Sequence, residues 1–276
     1  MAALDASLYT QSVCRHAAWA ASRLSAPMAC LHVVERRAAD RDEGGELEVD
    51  PATVLLDEPG LLEAAGKLAG AERGRMLLQQ AAALAASGHG VVPRIQLRRG
   101  ALVDAFREAE PDVGLFVVGR RGEQSEFGKA RMGSQLERVV RATGRPLLGA
   151  SRGFADIGRV LVAFDGSATT RRGLEWVARS PLFAGLDIRV VTVGDDGAAG
   201  SSLAWALETL RASGAQAAGR VVHGDPQEAI GLHAEAIGAD LLVMGAYGHS
   251  RIRQLIVGST TSTLLRSSRI PVLLLR

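Results

Sequence analysis

Two halves of this chain repeat each other, and that repeat limits the folds open to it more than any other feature. Three segments match between the halves: Leu115–Gly119 (LFVVG) with Leu241–Gly245 (LLVMG), Gly133-Ser134 with Gly258-Ser259, and Asp5-Ala6-Ser7 with Asp165-Gly166-Ser167. The last pair is farther apart because the first half carries an insertion after its second strand. Internal self-similarity of this kind indicates a tandem of two related units. The 276 residues suit two domains of roughly 140 residues each. We therefore divide the chain into an N-terminal half, 1–151, and a C-terminal half, 152–276.

Short apolar runs alternate with amphipathic segments in both halves, which predicts strands alternating with helices. In the C-terminal half the runs Val160–Phe164, Ile188–Val193 and Leu241–Met244 predict buried strands. Asp225, followed by Pro226 and then Glu228, is typical of a helix start. Alternating strands and helices form parallel sheets with right-handed crossovers.

The N-terminal half differs from its twin in three places. An insertion at about 35–75 opens with a charged, glycine-rich stretch, Glu35 to Glu48, which predicts a loop before a long helix. Pro93 falls in the predicted third strand, and proline cannot donate to a strand ladder, so we expect that strand at a sheet edge. Met1 to Leu4 is only a short first strand, so either the true start lies upstream or this half has lost part of it.

Composition argues against several classes of partner. The net charge is +2, aromatic residues make up 4%, and no basic face carries interleaved aromatics, so we expect no nucleic-acid binding. Apolar runs stay well short of the roughly 18 residues of a membrane span, and the N-terminus lacks the pattern of a signal peptide. Cys14 and Cys30 suit a reducing compartment as buried small residues. These features predict a cytoplasmic protein without membrane contact.

The strongest motif follows the strand Leu241–Met244. Gly245, Gly248 and Gly258 are spaced Gly-x2-Gly-x9-Gly, and Ser259 then opens a hydroxyl-rich helix. Glycines permit close backbone approach, and a helix start presents unpaired N–H groups with positive partial charge. A strand, a glycine loop and a helix start together form an anion seat. The alternative for any one of these residues is an ordinary capped turn.

This motif resembles the nucleotide-binding signature of the universal stress protein family, Gly-x2-Gly-x9-Gly-(Ser/Thr), and the resemblance covers essentially the whole chain. It implies an α/β fold of two doubly wound parallel five-stranded sheets, order 3-2-1-4-5, of the adenine nucleotide alpha hydrolase-like type. It also implies ATP as ligand and a regulatory or stress-tolerance role, with hydrolysis slow at most. Whether Mg²⁺ accompanies the ATP is left open.

The resemblance assigns the nucleotide site to the C-terminal half, where the switch point lies between the first and fourth strands. Asp165 would contact the ribose, with Gly166 and Ser167 beside it. Ala163 and Val193 would line the adenine slot over Met244, which also suits plain core packing. The phosphate seat would comprise Gly245, Gly248, Gly258, Ser259, Thr260 and Thr261. No catalytic set and no metal-ligand spacing emerge from the sequence.

The N-terminal half departs from the family pattern. Ten residues instead of nine separate Gly122 from Gly133, Gln135 replaces a hydroxyl residue, and Arg120 and Arg121 crowd the glycine turn. We expect this half to bind nucleotide weakly or not at all. Two alternatives remain for the chain: a protein-interaction module without nucleotide, and a small-ligand sensor whose insertion acts as a lid. Family resemblance also implies pairing of the fifth strands, as an intramolecular pseudo-dimer or in a homodimer.

Overall fold

A computed structural model describes residues 1–34, 58–120, 134–246 and 259–276, with the side chains of 58–67, 134 and 135 left out. The N-terminal half contains β1 (Ala2–Leu4), α1 (Thr10–Leu24), β2 (Ala29–Val34), α2 (Glu58–His89), β3 (Arg94–Arg99), α3 (Leu102–Ala109), β4 (Phe116–Gly119), α4 (Ser134–Ala142) and β5 (Leu147–Ala150). The predicted loop from Glu35 to Glu48 lies outside the described residues.

The C-terminal half repeats the alternation. It contains β6 (Arg159–Ala163), α5 (Ala168–Arg179), a 3-10 turn (Pro181–Phe183), β7 (Asp187–Val193), α6 (Asp196–Ala212), β8 (Ala217–Val222), α7 (Pro226–Ala236), β9 (Leu241–Gly245), α8 (Ser259–Ser267) and β10 (Val272–Leu275). The predicted start of α7 is confirmed, because the Asp225 carboxylate accepts from the amides of Gln227 at 2.9 Å and Glu228 at 3.2 Å.

All ten strands form one sheet in the order β3-β2-β1-β4-β5-β10-β9-β6-β7-β8. Each half therefore has the expected order 3-2-1-4-5, and its strands pair in parallel. The halves meet where β5 pairs antiparallel with β10, with Leu148 opposite Leu273. The expected two sheets are therefore joined into one continuous sheet. The two halves are arranged about this seam like the subunits of a dimer.

The edge position predicted from Pro93 is confirmed, although the strand begins one residue after the proline instead of containing it. The amide of Arg94 makes the first bond of this edge, to the carbonyl of Met28 at 2.8 Å. Since proline has no N–H to offer, pairing with β2 starts only at the next residue.

Helices cover both faces of the sheet and produce two separate cores. Helices α1, α2, α5 and α6 pack on one face, where Leu78, Leu174 and Leu210 are almost fully buried. Helices α3, α4, α7 and α8 pack on the other, around residues such as Phe106 and Leu264. Because β5 and β10 run antiparallel, the strands of the two halves point in opposite directions, and their carboxyl ends lie at opposite ends of the sheet along the strand direction. Any ligand clefts at those ends are therefore far apart, one in each half.

Candidate functional site

Three neighbouring strands of the C-terminal half have their carboxyl ends side by side. The order β9-β6-β7 brings the ends of these strands at Gly245, Ala163 and Val193 side by side. Strand β6 pairs in parallel with β7 on one side and with β9 on the other. The order of the strands along the chain therefore reverses direction at β6. This is the topological switch point, where doubly wound sheets form their ligand crevice.

Asp165 stands at this switch point in a turn that fixes its carboxylate. Its Oδ1 accepts from the amide of Ser167 at 2.9 Å and from the hydroxyl of Thr170 at 2.6 Å. Ser167 is the N-cap of α5, and its hydroxyl accepts from the Thr170 amide. The residue is exposed to solvent, so a carboxylate with a defined orientation is presented at the cleft.

Gly166 adopts a conformation that only glycine takes readily. Its φ is +74°, and a Cβ placed there would lie 2.6 Å from Oγ of Ser202 on α6. The carbonyl of Gly166 accepts from Nε of Arg171 at 3.0 Å. The Arg171 guanidinium in turn lies 4.3 Å from the centroid of the Trp205 ring, which stacks on Phe164. Two helices thus hold the turn that presents Asp165.

Arg171 and Trp205 were not predicted from the sequence. A cation–aromatic pair formed between two separate helices has no fixed spacing along the chain. The signal that could have found them is the difference between the halves, because Gln11 occupies the position of Arg171 in the N-terminal copy of the Asp-x-Ser turn.

The side chains predicted to line the adenine slot share one face of the sheet. Ala163 and Met244 are 8% and 6% exposed and belong to the core under α7 and α8, and the half-buried Val193 packs against the same core. The structure brings these three residues together beside Asp165. Ala163 and Met244 are buried in this core, and Val193 is the partly accessible member of the three.

The described part of the phosphate seat is the junction of β9 with α8. Thr261 is 3% exposed, and its hydroxyl donates to the carbonyl of Gly245 at 3.1 Å. Its proton is therefore engaged by the protein's own backbone, so it braces α8 against β9. Ser259 is exposed and Thr260 half-buried, and both lie in the first turn of α8. Gly248 and Gly258 lie outside the described residues, and their contacts stay predictions.

The corresponding turn of the N-terminal half is built differently. Ala6 replaces Gly166, and its φ is not positive, since Ser25 is the only described non-glycine residue with positive φ. The Thr10 hydroxyl donates to the main-chain carbonyls of Asp5 and Ser7, whereas Thr170 donates to the Asp165 carboxylate. The two turns share other bonds: the Ser7 amide donates to the Asp5 carboxylate at 3.2 Å, as the Ser167 amide does to Asp165, and both threonine hydroxyls reach the serine carbonyl. They differ in the second contact of the threonine hydroxyl, which is the Asp5 carbonyl in one copy and the Asp165 carboxylate in the other.

Within the described ranges, no three His, Cys, Asp or Glu side chains cluster closely enough to hold a metal ion. His223 has only one acidic neighbour there, Asp196, at 3.7 Å from its Nε2. Among the same residues, every helix is too short or too polar to cross a lipid bilayer.

Comparison with known proteins gives a consistent result for both halves. Residues 1–148 and 157–276 match the model of the family described as the universal stress protein family. Universal stress protein Slr1230 from Synechocystis sp. is 32% identical to this chain over 279 residues, which cover 99% of this chain and 97% of that protein.

One solved structure supports the fold over nearly the whole chain. The crystal structure of a universal stress protein from Archaeoglobus fulgidus DSM 4304 aligns with a TM-score of 0.73 at 22% identity, covering 99% of this chain and 96% of that one. A universal stress protein from Archaeoglobus fulgidus solved in complex with dAMP aligns over 45% of this chain and 100% of its own, with 21% identity and a TM-score of 0.36. The bound dAMP is a property of that protein.

Proposed function

The chain belongs to the universal stress protein family, and from that premise we propose that its C-terminal half binds ATP in a regulatory or stress-tolerance role. The proposal rests on two features that follow neighbouring strands at one switch point. These features are the anchored Asp165 carboxylate beside β6 and the first turn of α8 beside β9. A group suited to ribose hydroxyls and a helix start suited to phosphate thus follow two neighbouring strands at the same end of the sheet.

The chemistry of the cleft fits each part of the nucleotide. Ala163, Val193 and Met244, an apolar group on one face of the sheet, would lie beside the adenine ring. The Asp165 carboxylate can accept from ribose hydroxyls, and such charge-assisted bonds are stronger than neutral ones. Ser259 and Thr260 add hydroxyl donors to the amides of α8 for the phosphates. Mg²⁺, if it accompanies ATP, would be held mainly by the phosphates themselves, as this ion usually is.

We propose binding in preference to turnover. The described polar side chains of the turn, Asp165, Ser167 and Thr170, bond to one another and form the support of a binding site. Hydrolysis, where it occurs, is slow. The N-terminal half is proposed to bind nucleotide weakly or not at all, because its glycine loop departs from the family spacing, Gln135 replaces a hydroxyl residue, and Arg120 and Arg121 stand in the glycine turn.

The two copies supply their own matched control. Asp165→Asn removes the ribose-facing charge while keeping one oxygen for the turn, and Asp5→Asn makes the same change in the N-terminal copy. We expect Asp165→Asn to weaken ATP binding by about tenfold to a hundredfold, the effect of losing a bond to a charged group. Asp5→Asn should leave the affinity unchanged. Isothermal titration calorimetry measures both.

Two results would count against the proposal. Equal losses in the two variants would remove the assignment to the C-terminal half. A wild-type protein that takes up no adenine nucleotide would favour the alternative of an interaction module, or of a sensor for another small ligand, built on the same fold.

A further inference from the structure

Arg120 is a buried cation that crosses from one half of the molecule to the other. It follows Gly119 at the end of β4 and is only 7% exposed. Its Nε donates to the carbonyl of Ala150 at 3.2 Å, within its own half. Its Nη1 donates to the carbonyls of Leu265, at 3.3 Å, and Ser268, both in the C-terminal half. The guanidinium therefore links the end of β4 to the far side of the seam.

The acceptors of Arg120 in the other half lie at the end of α8. Leu265 is in the last turn of this helix, which ends at Ser267, and Ser268 follows immediately. The last carbonyls of a helix have no partner within the helix and carry negative partial charge. An arginine is well suited to them, since it offers several donors and keeps its positive charge when buried.

The N-terminal half is specifically adapted to accommodate this arginine. In the C-terminal half, Ala246 occupies the equivalent position after β9, and Leu274 stands on the neighbouring strand. In the N-terminal half the large and small residues are exchanged, because Gly149 takes the place of Leu274. A Cβ on Gly149 would lie 3.2 Å from Cγ of Arg120 and 3.4 Å from Cδ2 of Leu265. The missing side chain thus opens the path of the arginine to α8.

We propose that Arg120 is a positioning residue for the nucleotide site of the other half. Helix α8 is held at its start by the bond from Thr261 to the Gly245 carbonyl and at its end by Arg120. The inference rests on the proposed function, in which the first turn of α8 receives the phosphates. On this account the N-terminal half, whose own turn is altered, contributes to ATP binding by fixing the helix that the phosphates meet.

The test uses a second arginine that crosses between the halves. Arg23 on α1 donates to the carbonyls of Leu182, at 2.6 Å, and Ala184, on the opposite face of the sheet from α8. We compare Arg120→Ala and Arg23→Ala by calorimetry with ATP and with adenosine. Arg120→Ala should weaken ATP binding by about tenfold and adenosine binding much less, because the phosphates would meet the first turn of α8 directly and adenosine would not. Arg23→Ala should leave both affinities unchanged.

A second variant separates positioning from loss of packing. Arg120→Ala combined with Gly149→Leu copies the pair that the C-terminal half uses at the same place, so the core stays filled. It should retain a wild-type midpoint in urea yet show the same selective loss of ATP binding. Two outcomes would overturn the inference: equal weakening of ATP and adenosine binding, or an effect of Arg120→Ala no larger than that of Arg23→Ala. In either case, ATP binding by the wild type would still support the proposed function. Absence of ATP binding by the wild type would overturn both.

Discussion

Single residues distinguish the aspartate turns of the two halves. Gly166 allows the chain to turn sharply after β6, and the resulting turn directs Thr170 to the Asp165 carboxylate. Ala6 does not adopt positive φ, and Thr10 bonds to main-chain carbonyls instead. In both copies the serine amide donates to the aspartate carboxylate, so the copies differ in the threonine, which reaches that carboxylate only at Thr170 among the bonds described above.

Gly166→Ala should be more destabilising than the same change at a glycine with similar φ. A Cβ on Gly185, at φ +72°, would meet no atom within 4 Å, whereas a Cβ on Gly166, at +74°, would lie 2.6 Å from Ser202 Oγ. We expect Gly185→Ala to reduce the free energy of unfolding by about 1 kcal/mol from backbone strain alone. Gly166→Ala should lose more than that, because the new Cβ would also displace the Ser202 hydroxyl and lie 3.2 Å from Cβ of Ser202. Urea unfolding measures both, and equal losses would contradict the role given to Ser202.

At the scale of the elements, α1 ties the N-terminal half to the linker between the halves. The Ser12 hydroxyl donates to the Ser151 carbonyl at 2.6 Å, and its oxygen lies 3.1 Å from Nδ1 of His16. The His16 ring meets Phe154 of the linker edge-on, with centroids 4.9 Å apart. His16 is fully buried, and its Nε2 has no hydrogen-bond partner among the described residues. The helix thus carries a histidine that must stay neutral.

That histidine predicts a loss of stability in mild acid. Burial, aided by the nearby charge of Arg120, lowers the pKa of His16 to about 4 from its ordinary 6.5, against a bond to the Ser12 carbonyl that raises it. Between those two values the unfolded chain binds a proton that the folded chain does not, so stability falls as the pH drops from 6.5 towards 4. The contribution approaches about 3 kcal/mol over that window.

The measurement is urea unfolding at pH 7.5, 6.0 and 5.0, with His16→Gln as the variant that cannot titrate. Wild-type stability should fall over this series by more than that of His16→Gln. Parallel profiles for the two proteins would show that His16 is not the group responsible.

Across the whole chain, the seam joins the two halves into one continuous sheet. The β5–β10 ladder continues the sheet through the middle of the chain, and Arg23 and Arg120 cross it on opposite faces. Separating the halves would expose the buried strands Leu147–Ala150 and Val272–Leu275 together. The loss of this much apolar burial should make unfolding cooperative across the seam.

Unfolding in urea should therefore follow one transition for both halves. Trp19 reports on the N-terminal half, and Trp176 and Trp205 report on the C-terminal half. A chain with Trp176→Phe and Trp205→Phe isolates the first signal, and Trp19→Phe isolates the second. Corrected for any change in stability caused by the substitutions, the two midpoints should coincide. Clearly separated midpoints would show that the seam does not couple the halves.

Much of this architecture could be predicted from the sequence because it depends on local patterns. Alternating apolar runs indicated the parallel strands, Pro93 the sheet edge, and Asp225 the start of α7. Resemblance to the family supplied the strand order. Contacts between distant segments were not predictable in the same way. Arg120 looked like crowding in a glycine turn, and its bonds to α8 depend on how the two halves meet.

The number of adenine nucleotides that each chain binds tests most directly whether the C-terminal half holds a single site. Calorimetric titration of nucleotide-free protein with ATP should give one site per chain, abolished or strongly weakened by Asp165→Asn and retained in Asp5→Asn. Mass spectrometry of any ligand released on denaturation should identify the nucleotide. Two equivalent sites per chain, or none, would contradict the claim that the C-terminal copy alone has kept the site.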